Sequence, residues 1–239
     1  MKRIDDLQCK GLVLVQDDDK YCFTTDAVLL ANFVKTKKTD AVLELCAGTG
    51  VVSTLIMGKQ GPRKIVAVEL QKECCNLFNE SNQLNGFDKK IEVINTSIQE
   101  YKNLNRNEIF DVVVVNPPYY KKDQSKNANM AIALSTHEIA LCIDDVFCES
   151  SRALKFGGQF YMVHHTDRLV ELIVKMTKYQ LEPKIIQFVQ PKQHADSNVV
   201  LIKAVKGGKT GVKIREVLVF RDENGDESDA VKKIYGRLE

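Results

Sequence analysis

From Asp40 onward the hydrophobic positions alternate between two rhythms. Ala41–Leu45, Lys64–Glu69, Ile91–Asn95 and Asp111–Val115 are short, nearly unbroken apolar runs bounded by Gly, Pro or Asn, the pattern of strands buried on both faces. Between them, Val51–Lys59 sets Val51, Val52, Leu55 and Ile56 on one helical face, and Lys72–Leu84 is a second helical stretch. Ile143–Lys155 repeats the helical pattern, pairing Val146 with Ala153 and Phe147 with Leu154, and Gly157-Gly158 is expected to stop it. Gln159–His164 is the next strand. Leu169, Leu172, Ile173 and Met176 then follow the i, i+3, i+4, i+7 spacing of an amphipathic helix. Lys184–Val189 and Asn198–Val205 are strand-like, and Val212–Phe220 is a candidate further strand. The charged tail Asp222–Glu239 holds one possible helical turn, Val231–Tyr235. Ahead of the core, Gly11–Phe23 predicts a hairpin turning at Asp17-Asp18-Asp19, followed by an apolar helix Ala27–Val34 capped by Thr25 or Asp26.

Alternating β and α units imply an α/β fold: a doubly wound, mostly parallel, Rossmann-like sheet, here of seven strands. The expected organisation is one domain over residues 1–239, with hairpin and helix in 1–35, the core in 40–205, and a strand and tail in 206–239. A chain of this length buries a core without disulfides or metal.

Composition narrows the picture modestly. At 44% hydrophobic and 28% charged the chain resembles an ordinary soluble protein. It has no apolar run of membrane-span length, and Met1–Asp6 lacks the apolar stretch of a secretory signal, so a cytoplasmic protein is expected. Seven cysteines with no C-x-x-C pair, and four histidines without ligand spacing, fit reduced thiols better than a disulfide framework or a metal site. With 34 basic against 32 acidic residues, any polyanion contact must be a local patch.

Chemistry enters at Glu44-Leu45-Cys46-Ala47-Gly48-Thr49-Gly50, directly after a strand and opening a helix. Glycines there let the backbone turn sharply and approach a ligand. Neither G-x-G-x-x-G nor a Lys-Ser/Thr ending is present, so phosphate is not the expected ligand. An acid at the strand end suits a cationic amino-acid moiety instead, with Glu44 and free N–H groups holding an ammonium and a carboxylate. Nineteen residues after Gly50, the strand Val66-Ala67-Val68 ends in Glu69, the place of a ribose-binding acid in doubly wound folds. A nucleophilic role for Cys46 is the sharper alternative, but no partnered base is evident in the sequence.

The spacing Glu44-x-Cys46-x-Gly48-x-Gly50 followed by Glu69 resembles the class I methyltransferase cofactor signature. That resemblance implies S-adenosylmethionine bound at the carboxyl ends of the first two core strands, with Leu70, Ser97 and Ile98 beside it. Two positions depart from the pattern. Cys46 replaces the first glycine, which is tolerable if it keeps φ negative. Ser97 stands where many relatives carry an aspartate that contacts the adenine.

The most informative stretch is Asp111-Val112-Val113-Val114-Val115-Asn116-Pro117-Pro118-Tyr119. A strand delivers Asn-Pro-Pro-Tyr to the sheet edge that carries the glycine loop. The prolines stiffen the backbone, so the Asn116 side chain and the Pro117 carbonyl become fixed acceptors. An exocyclic amino nitrogen is a poor nucleophile because its lone pair is delocalised. Two acceptors taking its two N–H bonds favour a pyramidal nitrogen with its lone pair aimed at a methyl donor. Tyr119 supplies a face for stacking. The stretch resembles the N-P-P-Y box shared by adenine-N6 enzymes and by glutamine-N5 enzymes acting on release factors. It therefore specifies a planar NH2 acceptor without choosing base or amide.

The segment Leu12-x-x-x-Gln16…Tyr21-x-Phe23-Thr24-Thr25-Asp26-Ala27-Val28-Leu29-Leu30-Ala31-x-Phe33 is similar to one bacterial family, the tRNA adenosine N6-methyltransferases of position 37 of a valine tRNA. The similarity continues through His137-Glu138, Leu154-Lys155-x-Gly157-Gly158 and Leu181-x-Pro183-Lys184, nearly the whole chain. It implies that Phe23, Thr25 and Asp26 lie over the cofactor end and that the partner is the anticodon stem-loop of a tRNA. No obligate protein partner is expected. Lys121, Lys122 and Lys126, and the acid-free run Lys203, Lys206, Lys209, Lys213 and Arg215, are candidate phosphate contacts. About 40 residues precede the first core strand, too few for the added helical domain of a release-factor enzyme. No separate DNA-reading insertion is visible. A catalytically silent binding scaffold stays open as an alternative, with the intact Asn116–Tyr119 box against it.

Overall fold

The computed structural model describes residues 1–17, 24–104, 106–117 and 142–238. Phe23, Pro118, Tyr119, Lys121, Lys122, Lys126 and His137-Glu138 lie outside that set.

The core follows the predicted rhythm. Strand β3 (Ala41–Leu45) leads into helix α2 (Val51–Gln60), β4 (Lys64–Glu69) into α3 (Lys72–Leu84), and β5 (Ile91–Asn95) into the short α4 (Ile98–Tyr101). After β6 (Phe110–Val115) come α5 (Ile143–Ala153), β7 (Leu154–His165), α6 (Leu169–Lys178), β8 (Leu181–Lys192) and β9 (Val199–Lys206). Strands β5, β4, β3, β6 and β7 lie side by side in that order, all parallel, and β9 then β8 continue the sheet in antiparallel pairing. Two short strands, β10 (Lys213–Ile214) and β11 (Leu218–Arg221), add parallel to β8 and bring the described sheet to nine strands rather than seven. They replace the single strand expected over Val212–Phe220. A final helix, α7, spans Asp229–Ile234.

Because strand side chains alternate, the sheet sorts its core into two layers. Val42, Ile65, Ala67, Val112, Val114, Tyr161 and Val163 pack with α1 (Thr25–Phe33) and α2. Leu43, Leu45, Val66, Val68, Val113, Val115, Phe160 and Met162 pack with α5 and α6.

Two local expectations are corrected, and one lies partly outside the described residues. The expected turn at Asp17-Asp18-Asp19 runs into residues 18–23, which lie outside the described set. Ahead of it, a hairpin the sequence did not suggest pairs β1 (Lys2–Asp6) with β2 (Val13–Asp17), its turn at Leu7–Leu12. Gln8, Lys10 and Gly11 supply the positive φ values that close it. Helix α5 stops at Ala153, and Gly157-Gly158 sits inside β7, where the register against β6 shifts. Helix α1 is capped by Thr24, one residue ahead of the expected caps, through its backbone alone.

Candidate active site

Leu45, the last residue of β3, pairs with Val68 of β4 on one side and Val115 of β6 on the other. The chain leaving β3 therefore emerges between Glu69 and Asn116. Neighbouring strands are about 4.8 Å apart, so these two residues stand roughly 10 Å apart with the Cys46–Gly50 loop between them. Strand order reverses direction at this point, which opens a crevice at the carboxyl edge.

The loop uses three positive φ angles: Cys46 at 58°, Gly48 at 55° and Gly50 at 89°. The condition of a negative φ at Cys46 is overturned. This residue adopts the left-handed conformation in which a Cβ costs roughly 1–2 kcal/mol. The two glycines serve different ends. A Cβ on Gly50 would run into the Phe78 ring of α3, so this glycine lets helix and loop pack. A Cβ on Gly48 would meet nothing within 4 Å, leaving bare backbone facing open space at the loop crest.

Both strand-end acids are buried and brace the loop. Glu44, 2% exposed, accepts the backbone N–H of Ser53 at 3.1 Å and also the Ser53 hydroxyl, in the first turn of α2. Burial pushes its carboxyl up to about 8, against the lowering effect of the Ser53 bonds. Glu69 accepts the Gly48 N–H at 2.8 Å and the Gln71 N–H at 2.8 Å, and burial raises its pKa too. A carboxylate offers about four lone-pair positions, so each acid retains acceptor capacity for a ligand. The Cys46 thiol is driven well above its usual range by burial, then by Glu69 and Glu44. A thiol held protonated is a poor nucleophile.

Leu70, just past the end of β4, is 46% exposed, and Ile98, which opens α4, is 7% exposed. Asn95 donates to the carbonyls of Glu69 and Leu70 at 3.0 and 2.8 Å, fixing that corner. Ser97 has a structural task the sequence did not suggest. Its hydroxyl caps α4 by accepting the Glu100 N–H at 3.1 Å.

Asn116 and Pro117 follow β6 directly onto this edge, Asn116 partly exposed and Pro117 buried. Asn116 continues the face of Val112 and Val114, the face that also carries Glu44 through Val42. Thr25 and Asp26 occupy the first turn of α1, and burial raises the pKa of Tyr235 in the tail against the lowering effect of the Thr25 side chain.

Two supporting residues escaped the sequence reading of the site. Gln16, fully buried in β2, donates to Thr49 Oγ1 at 2.6 Å and so ties the N-terminal hairpin to the glycine loop. Its signal in the sequence is its place in the N-terminal segment Leu12–Phe33, which carries the family resemblance. Tyr235 sat in a tail too charged to interpret.

Comparison with known proteins places this geometry. The methyltransferase small domain family matches residues 23–178. The tRNA1(Val) (adenine(37)-N6)-methyltransferase of Parabacteroides distasonis is 26% identical over 179 residues, covering 75% of this chain and 74% of that one. Among solved structures, a predicted O-methyltransferase from Agrobacterium tumefaciens superposes with a TM-score of 0.73 at 20% identity, covering 90% of this chain and 97% of its own. Pyrococcus horikoshii TYW2, solved in complex with MeSAdo, gives 0.62 at 15%, covering 87% and 72%. Matched over more than half its length by the family profile, the chain belongs to the methyltransferase small domain family.

Proposed function

We propose that this methyltransferase acts on the N6 amino group of adenosine in tRNA, at position 37 of a valine tRNA. The carrying observation is that Asn116-Pro117 directly follow β6, the strand paired with the one that leads into the glycine loop, so that a planar amine held by them would face the crevice at that edge. S-adenosylmethionine, the family's cofactor, supplies an electrophilic methyl group there when bound. The relatives named for tRNA adenine-N6 methylation, about a quarter identical over most of the chain, favour a base over a protein amide.

In this reading Gly48 lets the methionine tail approach the backbone, Glu44 faces its ammonium, and Glu69 takes the ribose hydroxyls. Leu70 and Ile98 sandwich the adenine beside Ser97. Asn116 and the Pro117 carbonyl accept the two N–H bonds of the target amine, and Tyr119 stacks on the base. No catalytic base is needed before attack, because the amine loses its proton only after its nitrogen has become cationic. Lys121, Lys122 and Lys126, next in the sequence, meet RNA phosphates. An anticodon-loop base is already unpaired, so presenting it costs little.

Asn116→Ala tests the assignment. Turnover on tRNA should fall by at least a hundredfold while S-adenosylmethionine and tRNA affinities stay within a few-fold of wild type. Methylation at a near wild-type rate would remove Asn116 from the chemistry.

A further inference from the structure

We propose that the sheet flank beside α1, carrying Lys203, Lys213 and Arg215, is a second docking surface for the phosphodiester backbone of the RNA substrate. This rests on the RNA reading above and extends it to a surface on the far side of the catalytic strand from the cofactor acids.

The register places the cations. Tyr161 of β7 stands opposite Lys203 of β9, Lys203 opposite Ile185 of β8, and Ile185 opposite Lys213 of β10. Residues directly opposite one another share a face of the sheet, so Lys203 and Lys213 project on the side where Tyr161 packs beneath α1. Arg215 lies two residues beyond Lys213, and its backbone N–H continues the ladder to the Ile186 carbonyl at 2.8 Å. The Lys203 ammonium sits 5.6 Å from the Tyr161 ring centre and the Arg215 guanidinium 5.4 Å from that of Phe33. Those two rings touch edge to face at 5.8 Å. The aromatic pair thus holds two like charges side by side.

These cations are clustered on one face and lack a counter-charge. Among the described residues, none of the three is ion-paired to a carboxylate. Three other lysines on the sheet are paired, Lys206 with Glu108, Lys155 with Asp111, and Lys64 with Glu92, while Lys184 of β8 reaches only the Gly211 carbonyl. Asp40, the acid felt by Tyr161, is engaged by the Lys37 N–H at 2.8 Å. Burial and the neighbouring Arg215 both lower the Lys203 pKa, a strain on the charged form that an anion between the two cations would relieve. No acid interrupts the sequence from Lys203 to Arg215. Charge complementarity therefore selects a polyanion as the occupant.

The surface is also within reach of the site. Tyr161 pairs with Val114, two residues before Asn116 on the same face. Lys203 is therefore about 7 Å along the strands and roughly 10 Å across them from Asn116. Nucleotides a few positions from the acceptor base cover that distance.

The test is a triple variant, Lys203→Gln, Lys213→Gln and Arg215→Gln, with binding of unfractionated bacterial tRNA followed by fluorescence anisotropy between 50 and 300 mM salt. The log–log salt slope should fall by about 2, since each neutralised phosphate contributes roughly 0.7–0.9. Calorimetric S-adenosylmethionine affinity should be unchanged, which also certifies the fold. Lys213→Gln alone, at an exposed position, should lower the slope by about 0.7–0.9 if the triple variant fails to fold. A wild-type slope that survives the substitutions overturns this surface and leaves the adenosine reading standing. Wild-type protein whose tRNA binding has no salt dependence overturns the RNA reading and the surface together.

Discussion

Glu44→Gln should change stability and cofactor binding in opposite directions. The carboxyl is buried under α2 and its pKa moves from an ordinary 4.5 to about 8. Below pH 4.5 it is protonated whether the chain is folded or not and contributes nothing to pH dependence. Between pH 4.5 and 8 the unfolded chain has lost this proton while the folded chain retains it, so stability falls as pH rises; above about 8 the loss is complete. Each tenfold change in proton affinity is worth about 1.4 kcal/mol, so ionising Glu44 costs the cofactor-free fold on the order of 4–5 kcal/mol. Glutamine keeps an acceptor for Ser53 and has no proton to lose. Urea unfolding at pH 5 and pH 8.5 should therefore show a drop several kcal/mol smaller in the variant, with a residual slope from Glu69, whose pKa burial also raises. Cofactor binding goes the other way. If the ionised carboxylate faces the ammonium, losing it costs about 1.5–3 kcal/mol, or 10- to 100-fold in Kd. Wild-type binding should also release a proton below pH 8, and the variant's should not. Identical pH profiles of stability in the two proteins would refute the burial argument, and identical cofactor affinities would refute the contact.

Other positions give independent tests. Cys46→Gly should be about 1 kcal/mol more stable than Cys46→Ala by thermal or urea unfolding, because both remove the thiol and only glycine is at ease at φ 58°; equal stabilities would contradict the left-handed backbone. Ser97→Asp keeps an N-cap for α4 and restores the acid of the wider family. S-adenosylmethionine affinity should rise by about 1 kcal/mol, several-fold in a calorimetric titration, and no gain would remove this position from the adenine. Asn82 is 2% exposed, and its amide finds no hydrogen-bond partner among the described residues. Asn82→Leu should stabilise the protein by about 1 kcal/mol in urea unfolding, and destabilisation would reveal a hidden partner.

Much of the fold was legible because its information is local. Lys64–Glu69, buried on both faces, and Ile91–Asn95, a half-buried edge strand, are each flanked by turn residues, so a short apolar run suffices to mark them. The hairpin was harder. Lys2–Asp6 is polar and exposed, with no alternation to betray a strand. It exists because β2 docks on α3, where Ser81 accepts the Val15 N–H and Asn85 bonds both the N–H and carbonyl of Val13. Those contacts join residues 66 and 72 apart in sequence, and no short pattern encodes them. Gly157-Gly158 looked like a helix stop because a glycine pair signals an interruption without saying of what. In the fold it is a bulge in β7, where a Cβ on Gly158 would crowd the carbonyls of Lys155 and Asp111. At the site, the order Glu44, glycine loop, Glu69, Asn116 was visible as spacing. The positive φ of Cys46 was not, because it follows from how the loop must turn between β3 and α2 to bring Gly48 to Glu69.

The central claim, adenosine N6 methylation in tRNA, is tested most directly by product identity. Purified protein is incubated with unmodified total tRNA and S-adenosylmethionine, and the tRNA is digested to nucleosides for mass spectrometry. The account predicts N6-methyladenosine appearing with wild-type protein and absent with Asn116→Ala. tRNA left unmethylated by an active, cofactor-bound protein that instead labels a release-factor glutamine would contradict it.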